Sequence, residues 1–173
     1  MTRRSIPILA LALSLFSSGH VSAQAVLDQP SITLDAAVKM VNACEALAKS
    51  KGWKVSIWVV DDNALVVHMK HMEEAPIESI QTAQMKAKST KALLSSTDPN
   101  DPKSSIGKMM REPRGQVMAV LLESFPDGGG LPVMVGGKFV GAIGVAGADG
   151  AFDAQCAQAG LDAITKTDAT SKK

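Results

Sequence analysis

The sequence predicts an α/β domain of the α+β type, in which helices flank an antiparallel sheet. Two hairpin patterns and three amphipathic segments support this prediction. One hairpin lies in VSIWVVDDNALVVHMKHM, from Val55 to Met72, and the other surrounds Gly136-Gly137. Hairpins join antiparallel strands, whereas parallel strands need a long crossover. The expected order is helix, hairpin, helix, long loop, hairpin, helix.

The first residues are typical of an export signal. A pair of arginines precedes an apolar stretch from Ile6 to Phe16, which is short for a membrane span, and Val21-Ser22-Ala23 offers a small-residue cleavage site. We therefore assign residues 1–23 to a signal peptide and residues 24–173 to a single domain. This division predicts a periplasmic or secreted protein with no membrane span after cleavage.

The composition does not favour a polyanionic partner. The chain has 18 basic and 17 acidic residues, no Tyr and two Trp. Nucleic-acid binding usually requires a basic surface, often with aromatic side chains on which bases stack. We therefore expect no nucleic-acid partner.

The first helix is expected to run to about Ser50. Ser31 or Thr33 can cap its start, and Gly52 ends it. Apolar residues recur there at spacings of three and four, which is the pattern of one buried helix face. That face consists of Leu34, Ala37, Val38, Val41, Cys44, Leu47 and Ala48.

The first hairpin begins with a nearly continuous apolar strand, which indicates burial on both faces. Asp61, Asp62 and Asn63 supply the turn, since Asp and Asn tolerate left-handed backbone. The second strand ends in HMKHM, from His68 to Met72. Strand alternation places His68 and Met72 on one face of the sheet, and Met69 and His71 on the other.

A second helix is predicted from about Glu78 to Ser95. Its apolar and small residues, among them Ile80, Ala83 and Ala87, can face the sheet. Three lysines in the same helix are expected to form a solvated face rather than an anion site, because charge runs on helices usually do. These lysines are Lys86, Lys88 and Lys91.

Residues Ser96 to Gln116 are expected to form a long mobile loop, because they contain three prolines and mixed charge. Within it, Ile106, Met109 and Met110 can dock as one short helical turn. Val117 to Leu122 is then predicted to be a strand, with a helix as the open alternative.

The last third of the chain predicts strand, turn, strand and helix. Leu131 to Val135 and Phe139 to Ala146 are joined by Gly136-Gly137, and a closing helix runs from about Phe152 to Lys166. The preceding Gly128-Gly129-Gly130 is followed by a strand. It therefore lacks the helix N-terminus of a phosphate-binding loop.

The two cysteines, Cys44 and Cys156, lie on the apolar faces of the first and last predicted helices. An oxidising compartment permits a disulfide between them. Two buried free thiols that pack as small hydrophobic groups are the alternative.

Three segments carry a resemblance to a known family. ITLDAAVKMVNACEALAKSKGWKVSIWVVD, APIESIQTAQMKAKST and GGGLPVMVGGKFVGAIGVAGADGAFDAQCAQAGLDAI resemble the GlcG/HbpS group, also called the haem-degrading domain family and similar to the C-terminal domain of PduO. The resemblance implies a five-stranded antiparallel sheet, a profilin-like layout and assembly into dimers or larger rings. It also implies that the first and last helices pack side by side, which would bring Cys44 and Cys156 within reach of a disulfide. Some members of the family bind haem.

The chain departs from the family pattern at the end of the first hairpin. Where the family has F-x-R-M-D-G-A, this chain has MKHMEEA, from Met69 to Ala75. His71 therefore stands at the arginine position and Glu74 at the glycine position. These replacements give this strand end more metal-binding potential than the family pattern requires.

Imidazole and thioether groups are common axial ligands of haem iron, and they also suit copper. The alternative interpretation is that both methionines pack in the core and both histidines are ordinary strand residues. The candidate metal ligands are His68, Met69, His71 and Met72. The candidate cofactor-binding residues are His68, His71, Met72, Gly128, Gly129 and Gly130.

These observations predict a small exported ligand-binding protein for haem or a related tetrapyrrole, which forms homo-oligomers. One alternative is a periplasmic protein that binds copper or another metal. Another is a structural or partner-binding accessory subunit without turnover. An enzyme is less favoured, because the only acid–base candidates, His71 with Glu73 or Glu74, are adjacent rather than convergent.

Overall fold

The computed structural model describes residues 29–170, with side chains described to residue 165. The predicted signal peptide, residues 1–23, lies outside these residues. The expected order of elements is found, with two further helices in the long connection. The elements are α1 (Leu34–Lys51), β1 (Ser56–Asp61), β2 (Val66–His71), α2 (Ser79–Leu93), α3 (Ser105–Met110), α4 (Pro113–Leu121), β3 (Gly130–Val135), β4 (Lys138–Ala146) and α5 (Gly150–Thr170).

The sheet has the order β2-β1-β4-β3, and every neighbouring pair is antiparallel. Helices α1 and α5 pack together on one face, and α2 covers the other face along β4 and β1. The predicted antiparallel sheet with flanking helices is confirmed. Within the described residues, however, the sheet has four strands rather than five. None of the described helices is long and apolar enough to cross a bilayer.

Both hairpins form where they were predicted, through different turn chemistry. In the first, the Asp61 carboxylate accepts hydrogen bonds from the backbone N–H groups of Asn63 at 2.8 Å and Leu65 at 2.9 Å. In the second, Gly136 and Gly137 have φ angles of 56° and 78°. Two consecutive left-handed residues are what a tight two-residue hairpin requires, and glycine adopts them without strain.

The predicted strand from Val117 to Leu122 is wrong, because residues 117–121 belong to helix α4 and Leu122 is its C-cap. Pro113 occupies the first turn, where its missing N–H costs nothing, and the residues that follow include good helix formers. No strand of the described sheet pairs with them. This correction also accounts for one strand fewer than expected.

The segment expected as a long mobile loop contains the predicted helical turn, which is α3, capped by Ser104. Its first part is fixed to the glycine-rich segment by hydrogen bonds. The Thr97 hydroxyl donates to the Asp127 carbonyl at 2.6 Å and accepts from the Gly130 N–H at 2.9 Å. The connection is therefore a hydrogen-bonded part of the domain.

The open question about the cysteines is resolved in favour of a bridge. Cys44 of α1 and Cys156 of α5 form a disulfide with a Cα–Cα distance of 4.6 Å. Both residues are fully buried in the core between the two helices and the sheet. The side-by-side packing implied by the family resemblance is thus present.

Candidate functional site

The HMKHM strand end divides its side chains between the two faces of the sheet, as alternation predicts. His71 pairs with Ser56 and Met69 with Trp58, on the α2 face. His68 pairs with Val59 on the opposite face, towards α1 and α5. A single ion cannot be held by all four predicted metal ligands of one chain. Among the described residues, no group of three or more His, Cys, Asp or Glu side chains is arranged to hold a metal ion.

His71 is exposed, but one of its ring nitrogens is anchored. Its Nδ1 lies 2.8 Å from the Ser56 hydroxyl, which lies 2.7 Å from the Ser79 hydroxyl. Ser79 in turn donates to the Pro76 carbonyl at 2.5 Å. We call Ser56 and Ser79 the serine pair. Both serines are buried, with 0% and 2% of their surface exposed, so a buried hydrogen-bond chain fixes the orientation of an exposed imidazole.

The serine pair does not form a hydrolytic centre with His71. A nucleophilic hydroxyl must reach its substrate. Ser56 lies under the sheet face that α2 covers and has no exposed surface. The hydrogen bonds therefore orient the ring, and its Nε2 atom has no hydrogen-bond partner among the described residues.

His68 has a different environment. It is half-buried on the α1 face, and no described residue hydrogen-bonds to its ring. The neighbouring Lys70 donates to Glu45 at 2.6 Å, and Lys49 binds the same carboxylate at 2.8 Å. Hydrogen bonds from Lys49, which has the larger effect, and from Lys70 hold the pKa of Glu45 below its usual value. Among the described residues, a hydrogen bond thus orients the His71 ring but not the His68 ring.

The methionines of the strand end also differ. Met72 is 7% exposed and packs in the core with α1. Met69 is half-buried and shares the α2 face with His71. The packing interpretation therefore describes Met72 well, whereas Met69 lies close to the exposed imidazole.

Sequence reasoning missed a second polar arrangement, which contains Lys86. The prediction that Lys86 belongs to a solvated face is wrong, since the side chain is 1% exposed. Its Nζ donates to Asp127 at 2.8 Å, to Asp153 at 3.0 Å and to the Gly128 carbonyl at 2.6 Å. We call Lys86, Asp127 and Asp153 the Lys86 cluster.

The helical period contains a signal that would have placed Lys86. Positions 83, 86, 87 and 90 follow one face of a helix, and Ala83, Ala87 and Thr90 are all buried against the sheet. The other two lysines are closer to the prediction. Lys88 is exposed, and Lys91 is half-buried with its Nζ 5.1 Å from the centre of the Phe139 ring.

Burial dominates the electrostatics of the Lys86 cluster. It raises the pKa of Asp153 to about 6, against the lowering effect of the Lys86 charge and hydrogen bond. Asp127 also acts on Asp153, because a second carboxylate shares the same ammonium and raises the pKa further. Asp127 itself is 43% exposed, so water solvates part of its charge.

The predicted cofactor contacts of Gly128, Gly129 and Gly130 remain predictions. Gly128 gives its carbonyl to Lys86, and the Gly129 φ angle is 117°, a conformation that favours glycine. A Cβ atom at Gly130 would collide with the Thr97 and Thr90 side chains. Close packing explains these glycines. Helix α2 carries both Ser79, which lies behind His71, and Lys86, which binds the Gly128 carbonyl.

Neither of two cavities in the described part of the chain is lined by His68 or His71. One is a cleft of about 240 Å³ between the start of α2 and the start of α5, bordered by the Lys86 cluster and Ser79. The other has a volume of about 710 Å³ and lies at the β3 edge, away from β2. Its apolar lining includes Ile32, Ala36, Val133, Met134, Val140 and Ile164.

Comparison with known proteins gives consistent matches. The family model described as haem degrading protein HbpS-like matches residues 32–162. An uncharacterized 15.0 kDa protein from the dhaT-dhaS intergenic region of Citrobacter freundii is 31% identical over 140 residues, which cover 79% of this chain and 94% of that protein.

Solved structures share the fold. A double mutant of HbpS from Streptomyces reticuli aligns with a TM-score of 0.71 at 26% identity, covering 94% of this chain and 99% of that chain. A PduOC–haem complex aligns with a TM-score of 0.69 at 19% identity, covering 78% of this chain and 96% of that chain. At 19% identity, the similarity to the PduOC–haem complex shows a common fold alone.

Proposed function

Because the chain belongs to the HbpS-like family of haem degrading proteins, we propose that it binds haem or a related tetrapyrrole and that His71 supplies an iron ligand. The observation that carries the proposal is the exposed His71 imidazole, which is anchored at Nδ1 and has no hydrogen-bond partner at Nε2 within the described residues. Metal-binding histidines commonly have one nitrogen on the metal and the other in a hydrogen bond.

The surroundings of His71 suit a large, mostly apolar ligand with acidic groups. Met69 lies two residues away on the same face and offers an apolar surface. Leu65 and Val66 are exposed at the beginning of the same edge strand. Lys70 lies on the opposite face of this edge strand, is partly exposed and supplies a positive charge there, although it is already paired with Glu45. These groups therefore fit haem, and the His71 imidazole would supply one nitrogen ligand to the iron.

The proposed site is open in a single chain. The 240 Å³ cleft nearest to it is smaller than ordinary ligand pockets of about 300–1,000 Å³. A haem on His71 would therefore keep much of its surface accessible unless another copy of the chain covers it.

We also propose that the chain forms homo-oligomers. Helix α4 has an apolar face without a partner in the described chain, in which Val117, Val120 and Leu121 are 60%, 77% and 70% exposed. Exposed apolar patches of this kind mark interaction surfaces. The sheet edges at β2 and β3 are further contact candidates.

Export to the periplasm or the medium is part of the proposal. It is supported by the predicted signal peptide and by the Cys44–Cys156 disulfide, since such bridges persist in oxidising compartments. Copper is not included in the proposal. Met69 and His71 lie on one face of the sheet, whereas His68 and Met72 lie on the other. The proposal assumes ligand binding without turnover.

Haemin titration of the purified protein tests this function. We expect a sharp, saturable Soret band in the parent protein and a loss of affinity of about 10-fold or more in His71→Ala. His68→Ala is the matched control, because it removes the other imidazole of the same strand, and it should titrate like the parent. If His71→Ala also keeps the parent spectrum and affinity, His71 is not the ligand. A broad, non-saturating response of the parent would reject haem binding altogether.

A further inference from the structure

The hydrogen-bond chain behind His71 fixes where each proton lies. The Pro76 carbonyl can only accept, so the Ser79 hydroxyl must donate its single hydrogen to it. In the 2.7 Å contact between the serines, Ser79 is then the acceptor and Ser56 the donor. This assignment uses the only hydrogen of each hydroxyl.

The remaining contact has one solution. Ser56 has no hydrogen left for the 2.8 Å contact with His71, so Nδ1 must carry the proton and donate it to the Ser56 oxygen. A neutral imidazole has one N–H and one lone pair. Whenever the His71 ring is neutral, its lone pair is therefore on Nε2, the nitrogen that faces away from the serine pair.

Burial makes this arrangement persistent. Ser56 and Ser79 are 0% and 2% exposed, so water has little access to replace either hydroxyl. His68 lacks such a chain, since no described residue hydrogen-bonds to its ring, and it is free to take either tautomer. The hydrogen bonds thus fix the tautomer of His71 but not that of His68, although both lie in one strand.

We propose that Ser56 and Ser79 are positioning residues that hold His71 as the Nδ1–H tautomer and so present Nε2 as the ligating nitrogen. This inference rests on the proposed function, in which His71 binds the iron of haem. It adds a role for two buried residues that cannot touch the ligand themselves.

The serine pair predicts an unusual effect for Ser79→Ala. Removing the Ser79 hydroxyl takes away the acceptor for Ser56, which can then turn its hydrogen towards Nδ1. Nδ1 becomes an acceptor, and the proton moves to Nε2. The variant should therefore switch the tautomer of a residue that it does not contact, while Ser56 and His71 both remain in place.

The test is long-range ¹H–¹⁵N correlation NMR of the ¹⁵N-labelled full chain without haem, at a pH where His71 is neutral. We expect the Nδ1–H pattern for His71 in the parent, a mixture of tautomers in Ser56→Ala and the Nε2–H pattern in Ser79→Ala. Thr82→Val is the control, because Thr82 lies one turn further along α2 and, within the described part of the chain, its hydroxyl bonds to the Glu78 carbonyl alone. It should leave the His71 signals unchanged.

Haemin titrations of the same proteins complete the test, with an affinity loss of about 10-fold expected for Ser79→Ala, as is typical when a partner behind a metal ligand is removed. An Nε2–H pattern for His71 in the parent overturns the inference, and this result needs no variant to fold. If the parent shows Nδ1–H and Ser79→Ala switches it, but His71→Ala binds haemin like the parent, the tautomer control stands and the proposed ligand fails.

Discussion

Replacement of Lys86 by methionine should strongly destabilise the domain. The change removes a buried ammonium but keeps a side chain of similar length. It leaves three acceptors without their donor: the Asp127 and Asp153 carboxylates and the Gly128 carbonyl. The three acceptors lose different amounts of stabilisation. Asp127 is 43% exposed and can be solvated, whereas Asp153 is 1% exposed.

The magnitude follows from these exposures. Breaking a buried ion pair by removing one partner costs about 3–5 kcal/mol, because an uncompensated charge remains. An unpaired buried carbonyl adds about 1–3 kcal/mol, which the transfer of the methionine side chain into the interior offsets by a similar amount. We expect a net loss of about 3–5 kcal/mol at pH 8, which corresponds to a fall in Tm of roughly 6–20 °C for a domain of this size.

Equilibrium urea unfolding of the oxidised protein at pH 8 measures this loss. Lys88→Met is the matched control, since Lys88 is exposed on the same helix, and it should change stability by no more than about 0.5 kcal/mol. Adding Asp153→Asn to Lys86→Met should recover part of the loss, because the stranded charge is removed. A Lys86→Met protein within about 1 kcal/mol of the parent would refute the assignment of Lys86 as a buried ion-pair partner.

Three further predictions concern pH, the disulfide and assembly. Because the folded pKa of Asp153 is raised to about 6 from 3.8, the folded state binds more protons than the unfolded state between these values. Its contribution to stability should therefore be full below about pH 4 and decline as pH rises to about 6, and this slope should be absent in Asp153→Asn when stability is measured by urea unfolding across that range. Thiol counting on the denatured, unreduced protein should find no free cysteine, and the Cys44→Ser/Cys156→Ser variant should be about 2–5 kcal/mol less stable; two free thiols in the parent would contradict the bridge. Light scattering at micromolar concentration should show at least a dimer, which Val120→Asp in α4 should weaken, whereas a monomeric parent would exclude the proposed assembly.

Local chemistry explains why much of the fold could be predicted. The Gly136-Gly137 turn and the Asp61 turn depend on residues within a few positions of each other. The apolar period of α1 is equally local, and its Ala37, Val41 and Cys44 are buried as expected. Such features can be read from one short window of sequence.

The errors arose where contacts between residues distant in sequence determine the structure. Val117 to Leu122 contains β-branched and helix-favouring residues, and it forms the end of helix α4 and its C-cap rather than a further strand of the described sheet. Lys86 looked solvated because its partners Asp127 and Asp153 are 41 and 67 positions away. An ammonium so placed is buried only when both carboxylates converge on it.

The candidate site was partly predictable for the same reason. Strand alternation correctly separated His71 from His68. It did not reveal Ser56 and Ser79 behind His71, because their contacts depend on the register of β1 with β2 and on the position of α2. A serine within an otherwise apolar buried strand is the signal that could have indicated a hydrogen-bonded partner.

The Cys44–Cys156 bridge also has a consequence for biogenesis. The two cysteines are separated by 112 positions, and all four strands of the described sheet lie between them. Cys156 is in the last helix, so it leaves the ribosome or a translocation pore only after the complete sheet sequence has emerged. Correct oxidation must therefore wait until all four strands have emerged, and the appearance of the bridge in a pulse-labelled sample would show when α1 and α5 come together.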